Sequence, residues 1–108
     1  MTLIDQHRAR LIDICSSCGV HRIFAFGSIV NGHFDPETSD LDFLVEMLEM
    51  PPMQRGQQLI ALWEALEQLF DRKVDLVTQS TMRNPYLQKA ITDTKVLLYE
   101  RQSEKVLG

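Results

Sequence analysis

The chain lacks any run of about 18 apolar residues, so its sequence offers no segment able to cross a membrane as a helix. Its opening residues, MTLIDQHRAR, become charged at once and have no apolar stretch of the kind a secretory signal requires. There is no internal repeat, no low-complexity segment and no basic cluster. With 11 Lys and Arg against 15 Asp and Glu the net charge is −4. Neutralising phosphates supplies most non-specific nucleic-acid affinity, so this acidic balance argues against a long nucleic acid as partner. What is present is enough to build a core: 44% of the 108 residues are hydrophobic and spread along the chain. The expectation is one cytoplasmic domain over residues 1–108.

Cysteine is scarce as well. Cys15 and Cys18 form the one pair, in CSSC, and His7, His21 and His33 have no spacing that would complete a zinc set with them. A redox role needs an exposed thiol of lowered pKa on a suitable turn. Residues three apart share a helix face, so the pair reads as core or boundary thiols.

The patterning gives an alternating order of elements. Residues 3–18 show helical spacing, with Thr2 or Asp5 as cap and Gly19 as a left-handed stop. HRIFAF (21–26) reads as a buried strand ending at Gly27, and Ser28 to Gly32 as one helical turn. A polar loop, 33–39, leads to the strand LDFLVEM (41–47). After Pro51-Pro52, residues 53–70 form an amphipathic helix whose stripe of Leu59, Leu62, Trp63, Leu66, Leu69 and Phe70 is core. KVDLVTQ (73–79) is a third strand, a short helix begins near Pro85, and VLLYE (96–100) is a fourth strand. Residues 101–108 read as a polar, fraying tail. The fold class is therefore mixed α/β, a small sheet of about four strands covered by helices.

Three aspartates carry the chemistry. Asp40 and Asp42 flank Leu41 at the entry of a strand, so alternation places both on one face, about 6–7 Å apart. Asp75 recurs in the otherwise apolar VDLV, where an unpaired carboxylate in a buried strand would be costly. If that strand lies beside 41–47, its carboxylate joins the other two. Clustered carboxylates repel, and divalent cations resolve the conflict; an all-oxygen set suits Mg²⁺ or Mn²⁺. Two such ions about 3.5–4 Å apart would serve an in-line displacement at phosphorus. Gly27-Ser28 supplies the complementary half, a strand end opening into a helical turn whose free N–H groups accept phosphate oxygens.

The run FGSIVNGHFDPETSDLDFLVE resembles the signature of the minimal nucleotidyltransferases, small members of the DNA polymerase β-like superfamily. RKVDLVT and MRNPYLQKAITDTKVLLYE extend the likeness over nearly the whole chain. The resemblance implies a nucleotidyltransferase fold with a mixed sheet, Mg²⁺ (or Mn²⁺) and ATP as nucleotide donor. By position, Asp40 and Asp42 match the metal pair, Asp75 the third carboxylate and general base, and Gly27 and Ser28 the phosphate-binding turn. It also implies a HEPN-type partner encoded nearby, a toxin silenced by adenylylation of a tyrosine hydroxyl in a type VII-like toxin–antitoxin pair. Two departures stand out. Val30-Asn31-Gly32 replaces the Ala-Arg-Gly of many relatives, removing a cationic phosphate contact, and eleven residues rather than ten separate Ser28 from Asp40.

The competing expectation is a binding module, an antitoxin that masks its partner with weak or lost catalysis. Transfer to an antibiotic or RNA ranks lower, because larger relatives use a second domain for such substrates. A homo-oligomer through the apolar edge of the last strand stays open.

Overall fold

A computed structural model describes residues 2–35, 37–78 and 84–102. The elements are α1 (Thr2–Gln6), α2 (Arg8–Ser17), β1 (Val20–Phe26), α3 (Ser28–Asn31), β2 (Leu41–Met47), α4 (Pro52–Phe70), β3 (Val74–Thr78), α5 (Pro85–Thr94) and β4 (Val96–Glu100). The four strands form one sheet in the order β3-β2-β1-β4. β1 runs antiparallel to both β2 and β4, whereas β2 and β3 are parallel. The mixed α/β class and the four strands match the sequence expectation.

The two central strands are apolar on both faces because both are covered. On one face Ile23, Ala25, Leu41, Phe43 and Val45 pack with Leu11 and Cys15 of α2 and Leu62, Leu66 and Phe70 of α4. On the other, Phe24, Phe26 and Leu44 pack with Ile91 of α5. Cys15 and Cys18 are free and buried within the first layer, and burial pushes the Cys15 thiol up to about 12. They are core thiols, as expected.

Several local expectations change. The single helix over 3–18 is two, α1 and α2, broken at His7, whose ring meets Phe70 edge-on at 5.5 Å. Gly19 does take a left-handed φ of +73° after α2. α4 starts at Pro52, since proline is pre-shaped for the first helical position. Trp63, expected in the core, is 41% exposed, and its indole N–H donates to the Val74 carbonyl at 2.9 Å. Arg101, expected in the tail, is fastened to β1 and α2: its N–H donates to His21 O and its guanidinium to Ser16 O, both at 2.8 Å. Residues 103–108 of that tail lie outside the described residues. Among the described residues no helix is long and apolar enough to cross a membrane.

Candidate active site

Strand pairing assembles the aspartates. Asp42 on β2 is the direct partner of Asp75 on β3. In a parallel pair, register partners point to the same face, about 4.8 Å apart across the strands. That face is the one carrying Leu44 and Phe26, opposite the α2–α4 layer. Asp40 sits just ahead of β2. Burial, then the charge of Asp75 and its hydrogen bond, then the charge of Asp40, push the Asp42 carboxyl up to about 6. The three predicted aspartates therefore share one end of one sheet face. One premise is corrected: Asp75 is exposed, because β3 is an edge strand and not a buried one.

Gly27 closes the other side. It follows Phe26, itself the register partner of Asp42. A Cβ placed on Gly27 would lie 2.5 Å from Asp42 Oδ2, and its φ is +81°. The position thus needs glycine twice over, for the close approach and for the backbone conformation. Its carbonyl accepts the N–H groups of Val30 and Asn31 at 3.0 and 3.1 Å, winding the single turn of α3 that Ser28 opens. The first N–H groups of such a turn have no partner within it.

Among the described residues, the ion pairs do not involve Asp40, Asp42 or Asp75. Nor do any three Asp, Glu, His or Cys side chains of those residues converge in metal-ligand geometry. The cluster is a set of hard carboxylate oxygens of one charge sign, close enough together to raise the proton affinity of Asp42. That chemistry fits Mg²⁺ or Mn²⁺.

Residues 8–98 match the nucleotidyltransferase domain family. The chain belongs to this family. MJ0126 of Methanocaldococcus jannaschii, a candidate protein adenylyltransferase, is 34% identical over 79 residues, covering 73% of this chain and 76% of that protein. A solved candidate minimal nucleotidyltransferase superposes with a TM-score of 0.70 at 28% identity, over 86% of this chain and 90% of the other. A Shewanella oneidensis complex of a tri-AMPylated HEPN toxin with its MNT antitoxin gives a TM-score of 0.56 at 20% identity, over 91% and 73%. At that identity the likeness is one of fold.

In this nucleotidyltransferase domain the loop before Asp40 is more organised than its polar sequence suggests. Asp35 N–H donates to Ser39 Oγ at 2.8 Å, and Ser39 N–H returns to Asp35 O at 2.9 Å. The Arg72 guanidinium lies 5.0 Å over the Phe34 ring, and its Nε donates to Phe70 O at 3.3 Å. Arg72 Nη1 is also 3.4 Å from Ser39 O, a long contact. One side chain thus joins the loop carrying Asp40 to the turn that leads into Asp75. Sequence reasoning misses Arg72, since an arginine before a strand carries no distinguishing local signal. Asn31, which stands where the resemblance leads one to expect arginine, accepts the His33 N–H at 3.1 Å.

Proposed function

We propose that this chain transfers AMP from ATP to a hydroxyl on a partner protein, a tyrosine of a HEPN-type toxin, and so acts as an antitoxin. The observation that carries the reading is the Asp42–Asp75 pair beside Gly27, within reach of the Asp40 charge. The protein adenylyltransferase relative and the fold shared with the AMPylated toxin–antitoxin complex support the donor and acceptor classes.

Asp40, Asp42 and Asp75 would hold Mg²⁺ or Mn²⁺, which when bound supplies the positive charge that both the carboxylates and a triphosphate require. The chain's own residues do the rest. The N–H groups opening α3 and the Ser28 hydroxyl bind phosphate oxygens, and Gly27 lets them approach the backbone. The acceptor oxygen attacks the α-phosphorus while the bond to the bridging oxygen breaks. Pyrophosphate leaves, and Asp75, the exposed carboxylate on the edge strand, takes the hydroxyl proton.

Labelled ATP, Mg²⁺, the purified protein and the product of the adjacent reading frame test this directly. Label should move to the neighbour and stay off it with an Asp40→Ala, Asp42→Ala variant. No transfer, under conditions in which a related pair works, would overturn the proposal. Full neutralisation of the partner by the double variant would favour masking over chemistry.

A further inference from the structure

Among the described residues, the strand that carries Asp75 has one neighbour. β3 lies at the sheet edge, beside β2 alone. Asp75 is exposed, so its carboxylate is placed by its backbone more than by packing around the side chain. Val74, immediately before it, turns its peptide groups toward α4. Its N–H donates to Glu67 Oε2 at 2.9 Å, and its C=O accepts the Trp63 Nε1–H at 2.9 Å. That carbonyl belongs to the peptide unit joining Val74 to Asp75. Trp63 and Glu67 are four apart on α4, so both project from one face of successive turns.

We propose that Trp63 and Glu67 are positioning residues for Asp75: together they clamp the edge strand and fix the carboxylate against Asp42. The proposal rests on the adenylyl-transfer reading, in which Asp75 takes the acceptor proton. Two features separate the clamp from ordinary packing. Trp63 is 41% exposed yet aims its indole N–H at a backbone carbonyl of the edge strand, and Glu67 commits its carboxylate to a backbone N–H. Edge strands otherwise leave such groups open. An outward shift of β3 would widen the Asp42–Asp75 separation without touching the phosphate turn at Gly27-Ser28. The clamp therefore acts chiefly on the chemical step, since Asp40, Asp42 and the phosphate turn keep their places for the ion and the nucleotide.

The test compares four proteins in the labelled-ATP assay with the partner protein. Beside the wild type, Trp63→Phe keeps an aromatic ring and removes the donor; Glu67→Leu removes the acceptor; Glu67→Gln keeps a carbonyl oxygen able to accept. Displacement of a reacting group by about 1 Å can cost on the order of 100-fold, so kcat should fall about 10- to 100-fold in Trp63→Phe and in Glu67→Leu. KM for ATP should stay within about twofold, and Glu67→Gln should keep kcat near the wild-type value. Thermal midpoints identify the variants that fold, and either donor or acceptor variant alone suffices if the other does not. Wild-type kcat in folded Trp63→Phe or folded Glu67→Leu, or a loss confined to KM, overturns the clamp while leaving adenylyl transfer standing. If the wild-type protein transfers nothing, the functional reading fails and the clamp fails with it.

Discussion

Asp42 and Asp75 face each other across a parallel strand pair, and the Asp42 carboxyl there is raised to about 6. The ordinary value is 3.8. Burial is the largest cause, followed by the neighbouring carboxylates, so the same geometry that gathers the three aspartates also weakens the charged form of one of them. Below about pH 6 a cation entering the cluster would have to displace that proton, which would couple ion binding to pH.

Ion binding and transfer should both fall in acid. Asp42 must be deprotonated to act as a ligand, so Mn²⁺ affinity and AMP transfer should rise with pH through about 6 and then level. Excess Mn²⁺ should shift the acid limb of the rate profile downward, because it competes with the proton. A rate profile with no inflection between about pH 5 and 7 would contradict this coupling.

The same shift predicts stability. With its folded pKa above the unfolded value, Asp42 contributes stability that is fully present below 3.8 and lost as pH rises through about 6. At neutral pH the charged side chain is therefore a burden in the ion-free protein. Asp42→Asn should raise the thermal midpoint at about pH 8, with a gain on the order of 1 kcal/mol once solvent screening of this partly exposed group is discounted. The gain should shrink toward zero near about pH 4. Chelator-treated protein in a thermal melt at each pH is the measurement.

Gly27 and Gly32 offer a matched comparison. Both have positive φ, +81° and +87°, but a Cβ on Gly32 would meet nothing within 4 Å, whereas one on Gly27 would lie 2.5 Å from Asp42 Oδ2. Gly32→Ala should cost only the backbone strain, about 1 kcal/mol. Gly27→Ala should cost more, about 2–3 kcal/mol, and should abolish transfer because Asp42 must move. Equal losses from the two substitutions would show that the close approach is unimportant.

Much of this site is legible in the sequence because its signals are local. Asp40 and Asp42 two apart at a strand entry, and Gly27 at a strand end, follow from alternation and turn chemistry. The central strands are legible because β1 and β2 are apolar over most of their length. What escapes the sequence depends on distant contacts. The break at His7 falls where its ring meets Phe70, a contact from far along the chain. Trp63 fits the apolar stripe of α4 by spacing, yet its role is set by the edge position of β3, which no pattern in VDLVT reveals. The exposure of Asp75 has the same origin. Arg72 acts through Phe34, far off in sequence.

Divalent ions should stabilise the protein measurably. A ligand that binds only the folded state adds about 2.7 kcal/mol at 100 times its dissociation constant. Mn²⁺ or Mg²⁺ should therefore raise the wild-type thermal midpoint, and chelation should reverse the shift and stop transfer. Asp40→Ala, Asp42→Ala should show no shift at the same ion concentration. A shift of wild-type size in that variant would place the ion elsewhere on the protein.

Asn31 is the residue at which restoring the family pattern should improve binding. Its side chain accepts the His33 N–H at 3.1 Å, at the exposed end of α3, the turn proposed to bind phosphate. An arginine there would put a guanidinium beside the triphosphate while giving up that local hydrogen bond. Losing the bond costs about 0.5–1 kcal/mol of stability. A new exposed charge pair contributes up to about 1 kcal/mol, so Asn31→Arg should lower KM for ATP by up to about fivefold. The gain should weaken as salt is added, since the pair is exposed. Steady-state kinetics at low and high salt decide the matter: an unchanged KM at both would mean that the phosphate turn is complete without the missing cation.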